Sequence, residues 1–308
     1  MAQKQYKKKS IGEKRRDRMQ TLSELFSFKP EYAELAVNHR ADDVWSGETQ
    51  MYERYYQIGD MPSMPSVTTV LDMIGKPGLR DWKMNKAWEH AYGVAMAEPW
   101  PQCPETELKR PKTSWRARLD ALKRESKAAG PTILDRARKI GDDVHGAIAA
   151  MLQGRAYTMQ HADDFNDEDR DQHQQALDSF NVWMEEHVTS GERLQPLWTE
   201  QTIWSPEHKY AGSPDIVCTD GSKLIVLDWK TGAGVYPEYG VQVAAYANAV
   251  EELTGFQVAE CRIVHLSKKE LGYKEYFAKD WTQAFKSFKA SLHLFNAWHD
   301  GILTSNDS

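Results

Sequence analysis

The sequence predicts an α+β fold in which helices come first and a compact β-β-β-α-β-β-α unit follows. Two observations carry this expectation. Ile133, Ala137, Ile140, Val144, Ile148 and Leu152 recur every three or four residues, the spacing of one buried helix face. From Leu197 the period shortens. Runs at 197–204, 210–218 and 223–229 are separated by the turn signals Ser205-Pro206 and Asp220-Gly221, as in paired strands.

The elements follow in chain order. Residues 1–20 hold eight Lys or Arg against Glu13 and Asp17. They read as a disordered basic tail, with an arm that touches phosphates as the other reading. Over 52–75, Pro65 ends an extended stretch and a short helix opens at Ser66 or Thr68. Leu79, Trp82, Ala87 and Ala95 give 79–96 an amphipathic helical pattern, and Pro99, Pro101 and Pro104 break the chain after it. Residues 109–127 carry Lys109, Arg110, Lys112, Arg116, Arg118, Lys123, Arg124 and Lys127 against Asp120 and Glu125. That is a local net charge of +6, with Trp115 embedded in it. Gly130-Pro131 is expected to end this stretch, which puts a boundary near residue 130.

The expected organisation is thus a basic tail over 1–20, a helical N-terminal elaboration over 21–130, a core over 131–300 and a tail over 301–308. In the core, an acidic connector at 163–171 leads into a helix bearing Ala176, Phe180, Trp183 and Met184 on one face. After the three strands, a helix over 238–254 stops at Gly255. Strands near 261–267 and 272–277 follow, and Asp280 caps a helix over 281–299.

Composition bounds the function classes. The chain has 308 residues, 41% hydrophobic and 27% charged, which excludes disordered, collagen-like and membrane-spanning classes. No run approaches the ~18 apolar residues of a membrane span. The first twenty residues lack the apolar stretch of a secretory signal. Cys103, Cys218 and Cys261 are odd in number and form no CxxC, so neither a disulfide framework nor a cysteine metal site is expected. A reducing, cytoplasmic setting follows as an expectation. The net charge of −6 argues against a nucleic-acid partner on average, but the basic blocks reverse that locally.

The residues that can carry chemistry lie close together. Asp215 is read into the second strand and Asp228 near the end of the third, and the turn at Asp220-Gly221 makes these strands a hairpin whose ends meet. Asp228 and Lys230 are two apart, so in a strand they share a face. Carboxylates flanked by apolar residues are costly to bury unless paired or bound to a metal. A hard cation such as magnesium suits two converging carboxylates, and a lysine beside it can stabilise charge on a phosphate. The bland alternative is a turn aspartate and a surface ion pair. Gln242 and Tyr246 stand at i and i+4 on one helix face, with Tyr239 extending the stripe and Val241, Ala245 and Leu253 packing beneath. An exposed amide and a half-buried core ring are their plain alternatives. His145 borders the apolar stripe of its helix, and Gly141 one turn before leaves space in front of the ring. A neutral imidazole there can ligate a metal or be merely structural.

Gly141-x-x-x-His145, Gly212-x-x-Asp215, Asp228-x-Lys230 and Gln242-x-x-x-Tyr246 together resemble the PD-(D/E)xK nuclease superfamily, in particular its RecB-like exonucleases. Pro65-Ser66-Val67-Thr68 resembles the N-terminal motif of phage exonucleases of this subgroup and of the mitochondrial genome-maintenance exonuclease. The resemblance implies a restriction-endonuclease-like core, a mixed central sheet flanked by helices. It implies Mg²⁺, which Mn²⁺ can replace, held by His145, Asp215, Asp228 and the backbone carbonyl of Trp229. Lys230 would be the catalytic lysine, and Gln242 and Tyr246 would position DNA or that lysine. Thr231, Ser66 and Thr68 would contact DNA. Glu200 is either an acid that orients water or a surface residue.

Arg116, Arg118, Lys123 and Arg124 would form a phosphate track with Trp115 as a stacking platform, the alternative being a solvated helix face. The implied activity is a metal-dependent DNA exonuclease of phage or bacterial recombination, repair or replication, leaving a 5′-phosphate and a 3′-hydroxyl. A single-strand-annealing or single-strand-binding protein is a possible partner. No iron–sulfur cluster is expected, because the cysteine motif of cluster-bearing members is missing. The alternatives are an endonuclease on the same core and a non-catalytic DNA-binding protein.

Overall fold

The computed structural model describes residues 26–35, 39–46, 51–97, 114–189 and 194–301. Its elements run α1 (Pro30–Ala33), β1 (His39–Ser46), β2 (Met51–Ile58), β3 (Met64–Pro65), α2 (Val67–Leu71), α3 (Pro77–Ala97) and α4 (Ser114–Leu152). They continue with α5 (Asp167–Met184), β4 (Gln195–Thr199), β5 (Ile203–Ser205), β6 (Tyr210–Gly212), β7 (Ile216–Thr219) and β8 (Leu224–Lys230). The last are α6 (Pro237–Thr254), β9 (Val258–Leu266), β10 (Tyr273–Phe277) and α7 (Trp281–His299).

A five-stranded mixed sheet in the order β10-β9-β8-β7-β4 forms the centre. β8 and β9 are parallel, joined through α6, and the other neighbours are antiparallel. Alternation along β8 shows how the sheet divides the core. Leu224 and Val226 pack on one side with Val243, Val250 and Leu253 of α6 and with Phe285 and Phe288 of α7. Ile225, Leu227 and Trp229 pack on the other with Ile140, Val144 and Ile148 of α4 and with Phe180 and Trp183 of α5. Helices therefore cover both faces, the mixed-sheet core that the resemblance implies. The caps also agree with expectation. Gly255 ends α6 in the left-handed region at φ 79°, and the Asp280 side chain accepts from Gln283 N at the start of α7.

Three local expectations are corrected. The stretch 21–130 is not helical throughout: β1 and β2 form an antiparallel pair with register His39↔Ile58 to Ser46↔Met51. Gly130-Pro131 does not end a helix, because α4 runs through Pro131. A Cβ on Gly130 would lie 3.2 Å from Lys83 Cα, so packing of α3 against α4 holds this turn. The Thr132 hydroxyl adds a bond to the Ala128 carbonyl at 2.8 Å. Such packing outweighs the one N–H that proline removes. The runs 197–204 and 210–218 each split in two, since β4 and β7 pair in the main sheet while β5 and β6 make a separate ribbon. Glu200 marks the first split with a left-handed backbone, φ 53°, its N–H donating to the Asp215 carbonyl at 3.2 Å. The basic tail 1–20, Cys103, Lys109, Arg110, Lys112 and the end of the chain from 302 lie outside the described residues, as do the side chains of Trp115 and Arg116.

Candidate functional site

The β7–β8 register builds the site. Ile216 pairs with Leu227, so the next position outward sets Asp215 opposite Asp228. Asp215 immediately precedes β7 rather than lying within it. Its Oδ2 accepts from the Trp229 backbone N–H at 2.6 Å, and its Oδ1 lies 2.9 Å from His145 Nδ1. His145 comes from α4 on one side of the sheet. Asp228 and Lys230 share the opposite side, facing α6, and the Lys230 ammonium contacts Asp228 Oδ2. Asp215 and Asp228 are both buried. Asp228 Oδ2 is buried, and its described partner is that ammonium. One ligand atom each from His145, Glu200 and Asp215 lies within 4.8 Å of the others.

Electrostatics separate these groups. Burial raises the Asp215 carboxyl, but the charges of His145 and Lys230 outweigh it and hold the group below the usual carboxylate range. Burial lowers the His145 imidazole, but Asp215 overcomes that and pushes it up to about 9. Burial raises Asp228 to about 6 against the pull of Lys230. Burial also lowers Lys230, and Asp228 more than restores it, so the lysine is raised. Glu200 is exposed as a residue, yet its carboxyl is desolvated at the site and, with the charge of Asp215 added, rises to about 8. Clustered carboxylates are donors that suit a hard divalent cation, and an imidazole adds a nitrogen donor of the kind transition metals favour. His145, Glu200 and Asp215 already bring three such donor atoms within 4.8 Å of one another, with the buried Asp228 carboxylate opposite Asp215. The residues present fit it.

The profile of the PD-(D/E)XK nuclease superfamily matches residues 106–305. The chain belongs to the PD-(D/E)XK nuclease superfamily. As a member it is a nuclease by family, in a superfamily that acts on DNA and typically uses divalent metal ions. A solved structure titled "Crystal structure of SSO0001" is 14% identical over 54% of this chain and 76% of that chain, with a TM-score of 0.25. Comparison with curated proteins gives no match. No helix among the described residues is long and apolar enough to cross a membrane.

The remaining expected residues of this nuclease fall into four groups. Gln242 and Tyr246 lie beside the site but are buried, joined by a 3.1 Å bond from Gln242 Nε2 to Tyr246 Oη. Burial and then the charge of Asp228 push Tyr246 well up, which locates the phenol near that carboxylate. Thr231 is buried against α4, and a Cβ on Gly141 would lie 3.3 Å from its hydroxyl. Gly141 thus accommodates Thr231, whereas the sequence reading gave it the space before His145. Ser66 is buried and caps α2, accepting from Thr69 N at 3.0 Å and lying 2.9 Å from Thr68 Oγ1. Thr68 is exposed. Along α4, Lys123 and Arg124 are exposed, and Arg118 is paired with Glu125 at 3.2 Å.

Two tyrosines complete the neighbourhood of Lys230. Its ammonium lies 4.8 Å from the centre of the Tyr239 ring, and Tyr236 meets that ring edge-on at 5.7 Å. The signal for Tyr239 is its three-residue spacing from Gln242. Tyr236, one residue before α6, carries no such signal and was missed.

Gly212 reports on the support beneath the site. A Cβ there would come within 2.7 Å of Tyr246 Cε1 and 3.4 Å of Val67 Cγ2. Both neighbours are buried, so neither yields cheaply. Gly212→Ala is expected to cost about 1–3 kcal/mol of stability and to lower cleavage by displacing Tyr246. Thermal unfolding beside single-turnover rates checks this. An unchanged melting temperature would mean that the ring moves freely.

Proposed function

We propose that this nuclease is a Mg²⁺-dependent DNA exonuclease of the RecB-like, phage-type subgroup, with His145, Asp215, Asp228 and Lys230 as its working residues. The observation that supports it best is the convergence of Asp215 and Asp228 at paired strand ends, one on the His145 ring and the other on the Lys230 ammonium. The name pattern of the superfamily falls on Pro214-Asp215 and Asp228-Trp229-Lys230.

His145, Asp215 and Asp228, with Glu200 close by, would hold the cation. When bound, it supplies Lewis acidity and a water of lowered pKa. The chain does the rest. The Trp229 N–H fixes one Asp215 oxygen and so orients the other toward the site. Asp228 holds the Lys230 ammonium, which offsets charge developing on the phosphate oxygens. Glu200 sits where a carboxyl raised by its surroundings can take or give a proton. The N-terminal elaboration would add the phosphate track on α4, and the core over 131–300 the chemistry.

End dependence tests the reading. Linear end-labelled DNA should be degraded with Mg²⁺ or Mn²⁺ and not with chelator, and circular DNA of the same sequence should resist. Equal cutting of the circle would favour the endonuclease alternative. The phosphate track has its own test. Neutralising Arg116, Arg118, Lys123 and Arg124 should lower the slope of log K against log salt by roughly 0.7–0.9 for each lost phosphate contact. An unchanged slope would make this a solvated helix face.

A further inference from the structure

Tyr236 is half exposed, at 50%, on the rim of the site, whereas Val235 beside it packs against the core. It stands immediately before α6, and its side chain makes no capping bond there. Its edge-on contact with Tyr239 fixes its direction. Tyr239 in turn is half-buried, packed on the α6–α7 side of the core, and holds the Lys230 ammonium against its ring at 4.8 Å. An ammonium at that distance from a ring is attracted to the ring's electron-rich face. Two rings therefore join the reactive lysine to an aromatic surface open to solvent. An exposed ring one side chain removed from a phosphate-directed lysine matches one chemistry well, the π-face of a nucleobase.

We propose that Tyr236 stacks a base of the DNA strand next to the scissile phosphate, and that Tyr239 is a positioning residue that holds Lys230 in line with that seated nucleotide. This rests on the nuclease reading above and names the substrate feature that the rim of the site reads. Stacking accepts any base, so the contact adds grip and register without sequence preference.

The test uses the full chain and the linear strand it degrades, with binding measured in Ca²⁺ and cleavage in Mg²⁺. Tyr236→Ala should weaken binding about 5- to 150-fold, the range of one lost base–aromatic stack, and Tyr236→Phe should restore it. A substrate with one abasic nucleotide, moved position by position along the strand, should erase the difference between wild type and Tyr236→Ala at one position near the cut. Tyr239→Leu should lower the single-turnover rate at saturating DNA several-fold, beyond any binding loss passed on through Tyr236, and Tyr239→Phe, which keeps the ring face, should recover both. Equal losses for Tyr236→Ala on intact and on every abasic substrate would overturn the stacking role. A Tyr239→Leu defect that Phe does not rescue, or that appears only in binding, would overturn the positioning role. A wild type that cleaves while these variants behave like it overturns this proposal alone. A wild type that neither binds nor cleaves DNA with any of these cations overturns the nuclease reading and this one with it.

Discussion

Replacing Lys230 with alanine is expected to lower single-turnover cleavage by about 10²–10³ while DNA binding stays near the wild-type level. The reason is where the charge acts. The Lys230 ammonium sits on Asp228 inside a buried site, so it is already in place when charge develops on the phosphate, and it adds little to the ground state. Asp228→Asn should be more severe. It removes the carboxylate that anchors this lysine and that would help to hold the cation, so metal-dependent cleavage should vanish. Binding in chelator should persist or tighten, because one negative charge near the phosphates is gone. Single-turnover cleavage beside equilibrium binding for both variants separates an enzyme from a binding protein. Identical residual nicking in wild type and both variants would mean that the activity is a contaminant, and the non-catalytic alternative would take over.

Asp215 should show that chemistry and stability can be separated at one position. Asp215→Ala leaves the buried Trp229 N–H without its acceptor, at a cost of about 1–3 kcal/mol, and leaves His145 without its partner. Asp215→Asn keeps an oxygen for that N–H, so most of the stability should return. Cleavage should return in neither variant, since the charge that faces His145 and the cation is absent from both. His145→Ala should keep the fold and raise the Mg²⁺ concentration needed for cleavage, or abolish it. Thermal unfolding together with metal titrations of the rate reads all three. Near-wild-type cleavage by His145→Ala at limiting Mg²⁺ would remove that residue from the site.

The parts legible in the sequence were those set by local rules. A short apolar run after the Asp220-Gly221 turn gave β8, Gly255 and Asp280 gave the ends of α6 and α7, and the Asp-x-Lys spacing put both side chains on one face. The parts that escaped depend on partners far along the chain. β1 reads His39-Arg-Ala-Asp-Asp-Val-Trp-Ser46, too polar to announce a strand, and it forms through pairing with β2. Glu200 breaks a strand without glycine or proline, because its backbone turns to bond Asp215. Asp143 looks like a helix-surface acid, yet it is wholly buried and collects Tyr157 Oη at 2.5 Å, Gln160 N at 2.6 Å and His161 N at 3.0 Å. Nothing within a few residues of Asp143 foretells that. Gly146 next to it is the small residue that this demands, since a Cβ would lie 2.6 Å from the Tyr157 ring.

Because α4 is unbroken at Pro131, it carries Arg118, Lys123, Arg124, Lys127 and His145 on a single rod. Arg118 and Lys127 precede His145 by twenty-seven and eighteen residues, which at 1.5 Å per residue is about 40 and 27 Å. At ~3.4 Å per nucleotide of a stacked strand, that is roughly eight to twelve nucleotides. On the proposed reading the helix is then a ruler. A strand longer than this can be gripped and cut at once, a shorter fragment must choose one end or the other, and digestion slows as the substrate shrinks below the length of the rod.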